Sequence, residues 1–154
     1  MSGTGPTTRH VQEMRECVCF ALRRTTRAVT QLYDAALRPH GLRVTQLPIL
    51  VAASRTEPVP LARLAEPLGM DRTTLLRNVR PLVRRKLVDL SADASGRTEI
   101  RTTAAGRALL ARAYPAWKKI QTRVLGSVDG KDWPQTLTAL RHAAHGAGRR
   151  QGVS

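Results

Sequence analysis

The chain has 154 residues, with 26 Lys and Arg against 11 Asp and Glu, a formal net charge of +15. That length predicts one domain able to bury a real core, and that charge predicts a polyanionic partner: nucleic acid, acidic membrane or acidic protein. Two cysteines exclude a disulfide framework, no apolar run suggests a transmembrane span, and the N-terminus lacks the features of a signal peptide, so a soluble cytoplasmic protein is expected.

Residues 1–9, rich in Gly, Thr and Pro, read as a disordered N-terminus. From about His10 to Leu37 one long helix is predicted. Cys19, Leu22, Thr26, Val29, Tyr33 and Ala36 recur at alternating spacings of three and four and so share a face. Arg38-Pro39-His40-Gly41 ends it, with Gly41 a candidate left-handed cap. Thr45 is placed to cap a second helix from about Gln46 to Ser54, with Pro48 in its first turn. Thr56 to Pro60 reads as a loop. Leu61, Leu64, Ala65 and Leu68 then form one apolar stripe on a short helix, and Gly69 supplies a turn. Asp71 stands where the next helix needs an N-cap. Along that helix Leu75, Val79, Leu82 and Val83 fit i, i+4, i+7 and i+8, which defines a buried side. Thr73, Arg77, Arg80 and Arg84 face away from it, with Thr74, Asn78 and Arg85 on the next row. Pro81 removes a backbone hydrogen bond, so a bend is expected near it.

Val88 to Ser91 and Thr98 to Arg101 alternate as short strands, joined by a hairpin tip from Ala92 to Arg97. A long helix starts at Thr102 or Thr103. Leu109, Leu110, Ala113, Trp117, Ile120 and Val124 line its apolar side, with a kink at Pro115. Gly126 to Gly130 breaks it. Asp132 caps a last helix with Pro134 near its first turn and Leu137, Leu140 and Ala144 on its apolar side. Residues 146–154 form a Gly/Arg-rich tail expected to fray. Leu61 to Arg101 is therefore two short helices joined by a tight turn and followed by a ribbon. That is a winged helix-turn-helix, a reader of duplex DNA.

The fold class expected is mainly α with a small β-wing, in a single domain over 10–145. The winged lobe covers 45–101. The terminal helices, 10–38 and 103–145, carry stripes with little to cover them inside one small lobe, so dimerisation with a second chain is expected through them. Two such chains would hold two reading helices about one duplex turn apart on a pseudo-palindrome.

On the reading helix, Thr73, Thr74, Arg77 and Asn78 project from the first turns. Arginine can donate two bonds to guanine, asparagine can pair with adenine, and threonine methyls can touch thymine. Arg72, Arg80 and Arg84 suit phosphates. Arg97 in the wing suits a narrow minor groove, with Asp93 near enough to support it; the plain alternative is a surface ion pair. Cys17 and Cys19 are two apart on a helix, so bridging them requires unwinding it. Cys19 reads as a small core residue, a redox switch or a thiol lining an effector pocket. Arg23, Arg24 and Arg27 nearby favour thiolate and anions, unless they are simply exposed or paired with Asp34. His142-x-x-His145 has metal spacing but no further ligand near it in sequence, and reads as a helix end. Aromatic residues make up 3% of the chain, against a single-strand binder built on stacking. No nucleophile elbow, phosphate loop or paired carboxylates appear, so neither catalysis nor a cofactor or metal is expected.

This order of elements resembles the MarR family of bacterial transcriptional regulators over roughly residues 10–145. The matching pieces are the run from Leu61 to Gly69 with the reading helix, Arg85-Lys86-Leu87-Val88, the wing from Asp93 to Arg97, and Thr102-Thr103-Ala104-Ala105-Gly106. The resemblance implies a triangular homodimer with reading helices in successive major grooves and the wing arginine in the minor groove. It also implies release from DNA when a small molecule or an oxidant acts. Cys19-Phe20-Ala21-Leu22, Arg27-Ala28-Val29, Leu32-Tyr33 and Gly41 to Gln46 resemble the organic-hydroperoxide sensors of that family. This implies that Cys19 is the oxidised cysteine and Tyr33 one of the tyrosines that hydrogen-bond it. The other two tyrosine positions hold Arg23 and Val44, and an arginine there suits either a thiolate or the carboxylate of an aromatic acid. The effector or redox candidates are thus Cys17, Cys19, Phe20, Arg23, Arg27, Tyr33 and Gln46. The expected function is a dimeric regulator of double-stranded DNA, a repressor released from its operator by a small-molecule effector. Alternatives are a thiol redox sensor acting through Cys19 and a non-specific architectural DNA binder.

Overall fold

The computed structural model describes residues 8–55, 57–127 and 132–148. It divides into two compact units, Met1–Trp117 and Lys118–Ser154. The first opens with α1 (Thr8–Arg15) and α2 (Val18–Leu37), so the single helix expected from His10 is broken at Glu16 and Cys17. Their amides fold back onto the carbonyls of Glu13 and Met14 at 3.2 Å each, and Cys17 takes a ψ of 120°. Cys17, Val18 and Cys19 are weak helix formers, and every residue from His10 to Ala28 is exposed, so no packing overrides them. Burial on α2 begins only at Tyr33 and Leu37. Cys19, one of whose expected places was the core, is therefore exposed.

A 3₁₀ turn, Arg38–His40, ends α2, and Gly41 closes it at φ 65°, the left-handed cap expected there. The next helix, α3, covers Leu47–Ala53 with Gln46 at its cap position. The expected cap, Thr45, is used elsewhere: its hydroxyl donates to Asn78 Oδ1 at 2.8 Å.

Three strands form one antiparallel sheet in the order β1-β3-β2: β1 (Val59–Pro60), β2 (Val88–Ala92) and β3 (Thr98–Thr102). Ile100 is paired with Leu90 on one side and Val59 on the other. The segment expected as loop thus contributes an edge strand, where Pro60 is tolerated. The apolar stripe beginning at Leu61 forms a 3₁₀ turn, Leu61–Leu64, followed by turns as far as Gly69, rather than the short helix expected. Pro67 lacks an N–H and disfavours helical backbone at Glu66, which stops a helix from growing. Leu61 and Leu64 are nevertheless buried.

The helix expected to read DNA, α4, spans Arg72–Arg84 and runs through Pro81. Its C-terminus is closed by Lys86 at φ 55°, with the Leu87 amide on Leu82 O at 2.9 Å. Leu75, Val79 and Leu82 enter a core with Leu37, Ile49 and Ile100. The buried Thr102 hydroxyl donates to Leu50 O at 2.9 Å.

Thr103 then opens α5 (Ala104–Ser127). Its hydroxyl accepts the Gly106 amide at 3.0 Å and donates to Lys86 O at 2.8 Å. A Cβ on Gly106 would fall 2.1 Å from Leu87 O, so glycine is required for this approach. The helix continues through Pro115. In the second unit, Ile120 on α5 is buried, and α6 spans Trp133–Gly148. Gly146, expected to begin a frayed tail, is still helical; residues 149–154, like 1–7, lie outside the described residues. Among the described residues no helix is long and apolar enough to cross a membrane.

Candidate nucleic-acid interface

Burying one side of α4 leaves Arg72, Thr73, Arg77, Arg80 and Arg84 exposed on the other, with no acidic residue along the helix. Asp71 caps it as the sequence predicts. Its carboxylate accepts the amide and the hydroxyl of Thr74, both at 2.8 Å. Those two bonds, the amide first, hold the Asp71 carboxyl below its ordinary range. The cap also commits Thr74. Asn78 is committed too: Nδ2 donates to Thr74 O at 2.9 Å and Oδ1 accepts the Thr45 hydroxyl. Of the four base-reading candidates, Thr73 and Arg77 are exposed, whereas Thr74 and Asn78 are half-buried. One N–H and one lone pair of the Asn78 amide remain for a base edge.

The wing is organised by Asp93. Its Oδ1 accepts from the Ser95 amide (2.8 Å), the Ser95 hydroxyl (2.7 Å) and the Arg97 amide (2.9 Å). Its Oδ2 takes Arg97 Nε at 2.9 Å. The Ser95 hydroxyl and the Arg97 amide draw the Asp93 carboxyl well below its ordinary range. The tip turns at Gly96, φ 79°. The Arg97 side chain is 72% exposed while that of Asp93 is 17% exposed. The bond to Asp93 uses Nε and leaves the two terminal nitrogens for an outside acceptor. A mostly apolar groove of about 510 Å³, lined by Leu61, Leu75, Leu76 and Leu90, carries Arg72 and Arg97 on its walls.

A second cavity, about 890 Å³, borders α4. Asp34, Arg38, Arg43, Gln46, Arg77 and Arg85 line it. Sequence reasoning missed Arg38 and Arg43, which sit in a connection without periodicity. The left-handed turn at Gly41, itself recognisable, is what brings them beside the helix.

The effector and redox candidates do not assemble into one site. Cys17 and Cys19 are exposed, with Cys17 at the cap of α2. Phe20, Arg23 and Arg27 are exposed on the following turns, whereas Tyr33 and Gln46 are buried. Burial raises the Tyr33 hydroxyl above its ordinary pKa. Cys19 and Tyr33 share one helix at a separation of about 21 Å along its axis, from 1.5 Å per residue. Within one chain this tyrosine therefore does not reach the thiol. Asp34, considered above as a partner for the arginines, accepts the Val44 amide at 2.7 Å. Among the described residues no three candidate ligands gather as a metal site; the His145 side chain lies outside them.

No family model matches the chain, and no curated protein matches it. Solved structures do. The transcriptional regulator MosR of M. tuberculosis is 37% identical over 86% of this chain and 96% of that one, with a TM-score of 0.75. MosR in complex with DNA aligns at 34% identity over 85% and 97%, with a TM-score of 0.73. A MarR-family transcriptional regulator from Rhodococcus sp. RHA1 is 28% identical over 82% and 93%, with a TM-score of 0.74. CouR from Rhodococcus jostii RHA1, bound to p-coumaroyl-CoA, is 25% identical over 91% and 97%, also with a TM-score of 0.74.

Proposed function

The chain belongs to the MarR family of transcriptional regulators, and from that premise we propose that it is a homodimeric, sequence-specific DNA-binding repressor responsive to a small molecule. The observation that carries this is the acid-free arginine face of α4, capped by Asp71, together with a wing arginine clamped by Asp93. Thr73 and Arg77 read base edges in the major groove, supplemented by the remaining donor and acceptor of Asn78. Arg72, Arg80 and Arg84 hold phosphates, and Arg97 enters the minor groove. The DNA complex of MosR supports a duplex partner. Val18 and Leu22 are exposed apolar side chains one turn apart on α2, and a second copy would cover them. The effector, an aromatic acid or a conjugate of one, acts through its differential affinity for the conformation that does not fit the operator. The binding of p-coumaroyl-CoA by CouR supports that class.

The test is selection of a preferred duplex from a random pool, followed by affinity measurements on Arg77→Ala. The expected variant loses about 1–3 kcal/mol of discrimination at one base pair. Discrimination equal to the wild type would remove the reading role from α4.

The helix break favours a second reading, a thiol sensor. Bridging Cys17 and Cys19 requires an unwound backbone, and Cys17 already has one. An organic hydroperoxide would oxidise the Cys19 thiol to a sulfenic acid and be reduced to its alcohol. The Cys17 thiol would then attack that sulfur, forming a disulfide and releasing water. In a peroxide titration followed by DNA release, Cys19→Ser is expected to stay bound; release at wild-type peroxide concentrations rules this reading out.

A further inference from the structure

The larger cavity has a lining that the DNA-reading role of α4 does not account for. At about 890 Å³ it falls within the range of small-molecule sites, roughly 300–1,000 Å³. Four guanidinium side chains, Arg38, Arg43, Arg77 and Arg85, face one carboxylate, Asp34. That carboxylate is engaged by the Val44 amide. The Gln46 carbonyl oxygen is engaged by the Arg43 amide at 3.1 Å, which leaves its amino group as a donor. Arg85 is fixed in place by bonds from its terminal nitrogens to the carbonyls of Gly41 and His40. A Cβ at Gly41 would lie 3.1 Å from Arg85 Nη2, a tight contact, and the φ of 65° already favours glycine there.

Such a wall offers many donors and scarcely any acceptor. It selects an anion rich in acceptor oxygens, and the planar fork of arginine matches phosphate with two parallel bonds. A single carboxylate would neutralise only one of the four cations, whereas a pair of linked phosphates matches the net excess. We propose that this cavity is a phosphate-binding site that shares Arg77 with the base-reading face. Two sources supply that chemistry: a free organic diphosphate, or a phosphodiester of the bound duplex flanking the major-groove contacts. A free diphosphate would compete with the operator for Arg77; that consequence rests on the DNA-binding reading above, whereas anion binding itself does not.

The experiment compares full-length wild type with Arg38→Gln/Arg43→Gln, two exposed positions, after thermal melts have confirmed equal folding. Arg43→Lys serves as a second variant that keeps the charge and loses the fork. Pyrophosphate is titrated calorimetrically without DNA, and duplex affinity is then measured against salt concentration, with and without pyrophosphate, at matched ionic strength. A free-phosphate source gives saturable binding at one pyrophosphate per chain and weaker duplex binding in its presence. The anion then binds at least tenfold more weakly to the double variant and at an intermediate level to Arg43→Lys. A duplex source gives no saturable pyrophosphate binding but, for a dimer that loses two contacts in each chain, a salt slope shallower by about 3.6, at ~0.9 per lost phosphate contact. Equal pyrophosphate heats in wild type and double variant together with an unchanged slope overturn the proposal. Failure of the wild type to bind any duplex overturns the regulator reading instead, and the pyrophosphate titration still decides the site.

Discussion

Asp93 shows how much one half-buried carboxylate can organise. It accepts four donors from Ser95 and Arg97, so the wing tip depends on its ionisation. Its pKa lies below the ordinary 3.8. The stabilisation it gives is therefore complete above that value and is lost as pH falls through the lower folded one. The Ser95 and Arg97 amide resonances are expected to hold still at pH 3.8 and to move only in stronger acid. A midpoint at the ordinary value would show that the clamp is not formed in solution. Asp93 and Asp71 were both legible in the sequence because their partners lie within four residues. The Thr45–Asn78 bond joins residues 33 apart, and no local pattern reveals it. That bond also limits what Asn78 has left to offer a base.

At the scale of elements, the patterns that survived are those backed by burial. The stripe of Leu75, Val79 and Leu82 gave α4 correctly because the core covers it. Leu82 is fully buried, so Leu82→Ala is expected to cost about 2–5 kcal/mol in urea unfolding. A loss below 1 kcal/mol would mean that this side of the helix is not packed as described. The stripe from Leu61 to Leu68 also has helical spacing, yet Pro67 keeps it from completing a helix; periodicity reported the buried Leu61 and Leu64, and the proline decided the backbone. β1 was invisible because two residues cannot display an alternation. The break before α2 was missed because the apolar recurrence begins only at Cys19, and neither Gly nor Pro marks Glu16 and Cys17 as outside a helix.

For the whole molecule, the charge of +15 was informative before any fold was known. What the sequence could not supply was the covering of α2. A stripe says that a face is apolar, not what lies on it, and here Leu22 is 39% exposed. If a second copy covers this face, Leu22→Glu is expected to shift the protein from dimer to monomer in sedimentation velocity while its helix signal remains. A monomeric wild type, or a variant that still sediments as a dimer, would remove α2 from the interface. The acid-free arginine face of α4 was legible as a face; its division into exposed and internally bonded residues required the packing.

The junction at Leu87 carries a mechanical consequence. Its amide closes α4, while its carbonyl accepts the Thr103 amide at 3.1 Å and lies where a Gly106 side chain would be. The end of α4 and the first turn of α5 are thereby held on the two sides of one residue. On the proposed reading, a rotation imposed on that turn would be carried to α4 through Leu87, so the pitch of the arginine face against a duplex would follow the first turn of α5.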